Sequence, residues 1–192
     1  MTDLSRTPSH ESLRQRLDQI AAGSEVPQHP ALVAALRAHD AHVVEIAQDD
    51  DVAQLSLDKY NCFEYAFGLA GSQSVIQIAS VLASVYPGAD FVSFLITNYL
   101  FEVPADRALD NTVVIYFDGQ TITHAGRMVS SGVQSKWGTG HLWKHGLFEI
   151  PTRYGDHVRF YRPIPKLVVE QAFVAYAKAR EGVTLIDSLL GK

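Results

Sequence analysis

The sequence predicts an α+β fold in which helices come first and an antiparallel sheet follows. Apolar residues at helical spacing dominate the first hundred residues, including a segment at 73–86 that is apolar on nearly every side. From residue 112 onward the pattern changes to β-branched and aromatic runs, and Asp118-Gly119 is a strong hairpin signal. An amphipathic segment at 166–180 predicts a closing helix.

The N-terminal part predicts two helices ahead of the main domain. Apolar positions recur at helical spacing over 11–22 and again over 30–38. We therefore expect residues 1–56 to form a helical extension packed on the core. Residues 57–192 are expected to form the principal domain, within one structural unit.

Short helices are predicted between residues 57 and 101. Asn61 is a suitable N-cap for the first helix, and the glycines that follow end it. The helix at 73–86 is stopped by Pro87-Gly88, and another apolar run covers 91–101. Each piece is shorter than the roughly 20 residues that a membrane span needs. We therefore predict that these segments are buried core helices and that the chain has no stable membrane span. Membrane insertion is the weaker interpretation.

The second half predicts an antiparallel meander. Its strands are expected at 112–117, 121–129, 133–137 and 157–161. The segment 138–146, which is rich in glycine and histidine, is expected to be a loop.

Composition excludes several classes of protein. The chain has 192 residues, 47% of them apolar and 19% charged, which is typical of a globular domain. A net charge of -5 without any run of Lys or Arg argues against a nucleic-acid partner. A single cysteine cannot form an internal disulfide and suits a reducing compartment. Residues 1–25 carry scattered charges and no apolar segment, so we expect a cytoplasmic protein or one exported without a signal peptide.

The single cysteine, Cys62, is the strongest chemical signal in the chain. It follows Asn61 at a predicted helix start, where unpaired backbone N–H groups favour the thiolate. His124 lies on a predicted strand, where alternation places it on the same face as Ile122 and Gly126. A thiol and an imidazole are the minimal equipment of a nucleophile and its general base. Ordinary burial of both residues in the core is the competing interpretation.

The segment 135–146 concentrates tryptophan, histidine and glycine, as substrate-facing loops often do. Burial of the tryptophans in the core is an equally weighted alternative. His141 and His145 are four residues apart, but no acidic or cysteine companion stands at metal-site spacing, so neither a metal nor a cofactor is predicted. The residues predicted to contact the substrate or its oxyanion are Tyr60, Asn61, Trp137 and Trp143.

The order of these elements resembles the NlpC-type branch of papain-like cysteine peptidases. The matching positions are Asn61-Cys62, the strand with its lead at 110–117, and His124-Ala125-Gly126, so the resemblance covers about residues 57–161. It implies a papain-like fold with N-terminal helices, a nucleophile-bearing helix packed on an antiparallel meander, and a C-terminal helix. It also implies that Cys62 is the nucleophile and His124 its base.

That family carries a third polar residue, which orients the histidine from the following strand. The matching position here falls near Ser135 or Lys136. A serine hydroxyl can accept the imidazole N–H, whereas an ammonium can only donate. The resemblance therefore favours Ser135 as the third member, and the alternatives are His141, His145 and Glu149.

The function expected from these residues is a cysteine hydrolase that cleaves an amide or related acyl bond. By the resemblance, its substrate is a peptide or a peptidoglycan-like molecule. The enzyme would then be a cell-wall-peptide amidase or endopeptidase, or an effector toxin with an immunity or inhibitor protein as partner. Two alternatives are a catalytically inactive papain-like binding module and a membrane-active toxin that uses residues 73–101.

Overall fold

A computed structural model describes residues 8–21, 45–46, 49–130, 132–138 and 140–191, and it confirms the α+β class. The helices are α1 (Pro8–Ala21), α2 (Cys62–Ala66), α3 (Gln73–Val81), α4 (Ala89–Asn98), α5 (Lys166–Glu181) and α6 (Val183–Leu189). The strands are β1 (Glu45–Ile46), β2 (Glu102–Val103), β3 (Val113–Asp118), β4 (Thr121–Val129), β5 (Gly132–Lys136), β6 (Leu142–His145) and β7 (His157–Tyr161).

The strands form one antiparallel sheet in the order β1-β6-β5-β4-β3-β7-β2. Strands β3 to β6 follow one another as a meander, and the β3–β4 hairpin turns through Gly119 in the left-handed region (φ 57°). Strand β6 lies inside the segment 138–146, so the prediction of a loop there was wrong. Pairing of Trp143 with Ser135 in β5 overrides a composition that favours turns.

Apolar side chains pack on both faces of the sheet. We call the side covered by α2 to α5 the helical face; its core includes Phe91 and Phe173, whose rings meet edge to face. We call the other side the α1 face, because Leu13 and Leu17 of α1 pack there beside Trp137. Helix α2, which begins at Cys62, and the N-terminal helix α1 therefore lie on opposite faces of the same sheet.

Helix α1 matches the helix predicted over 11–22, although it begins at Pro8. Its buried Arg14 side chain donates hydrogen bonds to backbone carbonyls in a turn between β6 and β7, those of Ile150, Pro151, Thr152 and Gly155. Asp18 accepts the N–H of Thr152 in the same turn. The helix predicted over 30–38 lies outside the described residues, and the domain boundary at residue 56 stays a prediction.

Helix α3 is shorter and more exposed than the sequence predicts. It ends at Val81, and Ile76 and Val81 are 51% and 59% exposed. The expected burial on nearly all sides was wrong, because a helix on the outer layer of the fold buries only one stripe, here Val75 and Ile78. Within the described part of the chain, no helix is both long enough and apolar enough to cross a membrane.

Candidate active site

A cavity of about 410 Å³ lies between the start of α2 and strand β4. The paired stretch of β4 and β5 ends at Arg127 and Gln134, and the cavity lies beyond that end. Two of the lining residues, Cys62 and His124, are the predicted nucleophile and base. The cavity therefore brings together the two residues that the sequence singled out.

Cys62 is the first residue of α2, and a capping box fixes it there. The Asn61 side chain accepts the N–H groups of Phe63 (2.8 Å) and Glu64 (2.9 Å), and the Glu64 carboxylate accepts the Asn61 N–H (2.8 Å). The Asn61 amide also donates to the Pro87 carbonyl at 3.0 Å. Asn61 is thus the predicted N-cap, and it lines the cavity. Its side chain is nevertheless committed to the fold, which disfavours the predicted oxyanion role.

Burial controls the protonation of the Cys62 thiol. It raises the pKa of Cys62 to about 11, although backbone N–H groups, including that of Ala125, and the Lys136 ammonium act to lower it. Cys62 is therefore a thiol at neutral pH, and the expected thiolate was wrong: a helix of five residues offers too small a dipole to offset burial. The Ala125 N–H acts on the sulfur directly, so Cys62 lies beside the residue that follows His124.

A bulge in β4 determines which way His124 faces. Tyr116 pairs with His124 while Phe117 pairs with Ile122, so Thr123 is the extra residue. Ile122 consequently packs in the core of the helical face, whereas the His124 ring lies against Tyr116 in the core of the α1 face. The predicted shared face of His124 and Ile122 was therefore wrong. A side chain on Gly126 would meet Val133 of the α1 face, so Gly126 does share the His124 face.

A buried hydrogen-bond chain holds the His124 ring. Its Nε2 lies 2.9 Å from the Ser135 hydroxyl, which in turn lies 2.7 Å from His145 Nε2. His145 Nδ1 donates to the Gly146 carbonyl at 2.8 Å, so in a neutral ring its Nε2 must accept the Ser135 proton. The Ser135 oxygen also accepts the indole N–H of Trp137 at 3.1 Å. With its one proton used, Ser135 can only accept from His124, and His124 therefore carries its proton on Nε2.

This arrangement leaves the other nitrogen of His124, Nδ1, as the basic one. Burial, together with repulsion from His145, holds the pKa of His124 well below its usual range, so the ring is neutral at neutral pH. Among the residues that the structure describes, Nδ1 has no hydrogen-bond partner, and none joins the ring to Cys62. A neutral thiol and a neutral imidazole thus line the cavity.

The remaining candidates for the third residue have different positions. Ser135 and His145 both belong to the hydrogen-bond chain that holds His124. Burial lowers the pKa of His145 to about 4. Glu149 accepts the Gly146 N–H at 2.7 Å and acts to raise the pKa of His145. His141 precedes β6, and its ring lies edge-on to Trp143.

Both tryptophans are buried in the core of the α1 face, with 4% and 3% of their surfaces exposed, and neither lines the cavity. The prediction that Trp137 and Trp143 form a substrate wall was therefore wrong. Flat apolar rings gain more from burial between a sheet and a helix than from exposure in a loop. Tyr60, the fourth residue predicted to contact the substrate, does line the cavity.

Lys136 brings a positive charge to the cavity wall. Its side chain is buried, donates to the Gly138 carbonyl at 2.7 Å and lies 5.2 Å from the centre of the Tyr60 ring. Both of these neighbours line the cavity. Lys136 cannot orient His124, but its charge favours an anion at Cys62.

Tyr154, which the sequence does not single out, stacks on His124 with ring centres 4.1 Å apart and planes 6° from parallel. It ends a short 3₁₀ turn, and Gly155 follows it with a positive φ of 111° and close approach to the Phe117 backbone. The sequence around Tyr154 predicts a turn, and it gives no sign of a residue that belongs to a functional site. Long separation along the chain conceals the fact that this ring reaches Cys62 and His124.

No group of three or more His, Cys, Asp or Glu side chains able to hold a metal occurs in the described part of the chain.

One family model, described as Domain of unknown function (DUF7689), matches residues 52–162. This match covers more than half of the chain and includes Cys62, His124, Ser135 and Tyr154. The chain therefore belongs to this family. Comparisons of the chain with the curated proteins and with the solved structures found no match.

Proposed function

We propose that this member of the DUF7689 family is a cysteine hydrolase that cleaves an amide or related acyl bond. The observation that supports it most is that Cys62 and His124 line the same cavity, while Ser135 holds the His124 ring through Nε2. That orientation keeps Nδ1 free to take a proton. The proposal includes the NlpC-type papain-like architecture implied by the sequence resemblance, with α2 packed on the meander.

Catalysis would begin when the Cys62 proton passes to His124 Nδ1. The sulfur forms a bond to the acyl carbon, and the carbonyl π electrons move onto its oxygen. As the carbonyl re-forms, the leaving group departs with the proton from Nδ1. Water then repeats the sequence at the thioester, with His124 taking the water proton and returning it to the sulfur, and the carboxylic acid is released.

The resting pair in this mechanism is neutral. Because the pKa of Cys62 is about 11 and that of His124 lies well below its usual range, proton transfer accompanies attack on the substrate. The Ala125 N–H and the Lys136 ammonium favour the negative charge that develops on sulfur. The Ser135–His145 chain keeps the ring oriented while it carries the extra proton.

By the same resemblance, the first substrate class to test is a peptide amide, including peptidoglycan-like stem peptides. Cell-wall-peptide cleavage and an effector role blocked by an immunity protein both fit this class. The chemistry itself can be tested without knowledge of the natural substrate.

The test uses p-nitrophenyl acetate at pH 7 and follows both nitrophenolate release and the mass of the protein. We expect a burst of nitrophenolate and an added acetyl group on wild-type protein. Both should vanish in Cys62→Ala, and His124→Gln should slow the burst by about 10²–10⁴-fold because it removes the general base.

The matched control is His157→Gln, a half-exposed histidine that pairs with Asp156 outside the cavity. It should acylate at the wild-type rate. Acetylation that persists in Cys62→Ala would contradict the proposal, as would equal rates for wild type and His124→Gln.

The second candidate is a binding module without catalysis. The observation in its favour is the partly buried Cys62 thiol, whose pKa of about 11 gives little thiolate at neutral pH. In that case wild-type protein would take up no acetyl group, and its Cys62 would react with iodoacetamide only after denaturation.

A further inference from the structure

The Tyr154 hydroxyl occupies a distinctive place in the cavity. The ring stacks flat on His124, and the residue lines the cavity together with Cys62. A Cβ atom placed on Gly138 would lie 4.0 Å from the phenol oxygen, so the hydroxyl reaches across to the loop after β5. This oxygen lies close enough to Cys62 for a charge on the sulfur to raise the pKa of Tyr154.

The hydrogen-bonding capacity of this hydroxyl is partly unused. The backbone N–H of Gly138 lies near the phenol oxygen and acts to lower the pKa of Tyr154. Among the described residues, no acceptor takes the phenol proton. Burial first, and then the nearby Cys62, raise the pKa of Tyr154, so the proton stays in place at neutral pH. Tyr154 therefore offers a donor directed into a shared cavity.

Several donors near Cys62 already serve the capping box and its contacts. The N–H groups of Phe63 and Glu64 donate to the Asn61 side chain, and the Asn61 amide donates to Pro87. When a thiol attacks a carbonyl group, the carbonyl oxygen becomes negative and lies within about 3 Å of the sulfur. That oxygen needs a preorganised hydrogen-bond donor. In the first turn of α2 the Cys62 N–H remains, and it acts on the Cys62 sulfur, so a further donor must come from outside the helix.

We propose that the Tyr154 hydroxyl is the oxyanion donor of this site, which makes Tyr154 a catalytic residue; the inference rests on the proposed hydrolase function. When the Cys62 sulfur bonds to the acyl carbon, the carbonyl electrons move to oxygen, and Tyr154 donates a hydrogen bond to it while keeping its proton. When the carbonyl re-forms and the leaving group departs, this hydrogen bond weakens again. No further reactant is needed.

The fold holds this donor in place before any substrate arrives. The Thr123 hydroxyl donates to the Tyr154 carbonyl at 2.7 Å, from the bulge next to His124. Arg14 of α1 donates to the carbonyls of Thr152 and Gly155 on either side. A donor fixed in this way loses little entropy and needs little reorganisation when the charge develops.

The test is Tyr154→Phe, which keeps the ring against His124 and removes only the hydroxyl. Acylation by p-nitrophenyl acetate should fall by about 10²–10³-fold, as for loss of one oxyanion donor. Alkylation of Cys62 by iodoacetamide forms no oxyanion, so its rate should stay within about twofold of wild type. The matched control is Tyr161→Phe, which loses a buried hydroxyl away from the cavity and should leave both rates unchanged.

A second variant keeps the test decisive if Tyr154→Phe folds poorly. Incorporation of 3-fluorotyrosine at position 154 keeps the ring contacts and makes the phenol a stronger donor, so acylation should rise several-fold relative to alkylation.

Each outcome decides a different point. Cys62-dependent acylation that is unchanged in both Tyr154 variants overturns the oxyanion role and leaves the hydrolase standing. Equal loss of acylation and alkylation in Tyr154→Phe also overturns it, because the residue then only positions Cys62. Wild-type protein without Cys62-dependent acylation overturns the hydrolase and this inference together.

Discussion

The two faces of the sheet bury different kinds of side chain. The helical face is covered by an apolar cluster in which aromatic rings such as Phe91, Phe173 and Tyr176 contact one another. The α1 face combines apolar residues with buried polar groups, among them Arg14, Ser135 and His145. The first face is held together by apolar contacts, whereas the second holds the His124 ring in one orientation.

Strand β4 joins these two environments at the site. Ala125 belongs to the apolar cluster of the helical face and its N–H acts on Cys62. His124, one residue earlier, lies against the rings of the α1 face. Cys62 therefore depends on one core and His124 on the other, and changes in the two cores should have different consequences.

The largest expected effect is on the helical face. Phe173→Ala removes a fully buried ring that meets Phe91 at 5.3 Å, and should lower the free energy of unfolding by about 3–5 kcal/mol. Urea denaturation at pH 7 and pH 5 measures it. The loss should be the same at both pH values, because no titrating group is involved. A loss that differs by more than about 1 kcal/mol between them would contradict the separation of the two faces.

The α1 face should make the protein sensitive to acid. His145 has a pKa of about 4 when folded, against 6.5 for the ordinary residue, so the unfolded chain binds the proton first. Stability is therefore full above pH 6.5 and falls as the pH drops towards 4, by about 3 kcal/mol from His145 alone. His124, whose pKa is also lowered, acts in the same direction.

Urea midpoints between pH 7 and pH 4.5 measure this dependence. Phe173→Ala should keep the wild-type slope, and His145→Gln should reduce it. A midpoint that is independent of pH over this range would show that the buried histidines are not neutral.

A smaller effect should separate Ser135 from an ordinary buried serine. Ser135→Ala leaves the partners His124, His145 and Trp137 without a shared oxygen and should cost about 1–3 kcal/mol. It should also slow acylation of Cys62 by freeing the His124 ring. The control is Ser72→Ala, since among the described residues the Ser72 hydroxyl hydrogen-bonds only with Ser74, outside the cavity. Equal acylation by the two variants would show that Ser135 does not orient the base.

Local sequence signals predicted much of the fold. Strands β4 and β7 have the predicted bounds, the Gly119 turn joins β3 to β4, and Asn61 caps α2 as its residue type suggests. These features depend on alternation, turn chemistry and capping, which act between neighbours in sequence. Strand β6 was missed because pairing with β5 is a tertiary contact that composition does not record.

The candidate site was less predictable for the same physical reason. Residue types and order singled out Cys62 and His124, but the thiol pKa depends on burial by distant segments. The Thr123 bulge broke the alternation used to orient His124. Tyr154 reaches the cavity through a turn held by α1, and nothing in its own neighbourhood indicates that.

The pH dependence of Cys62 acylation by p-nitrophenyl acetate, in wild type and in His124→Gln, tests the neutral pair most directly. A neutral imidazole beside a neutral thiol predicts a wild-type rate that is constant from below pH 6.5 up to the Cys62 pKa of about 11. In His124→Gln only the thiolate reacts, so the rate should rise about tenfold per pH unit towards that pKa. A wild-type rate that climbs with the same slope as the variant would contradict the account, because His124 would then not be the base.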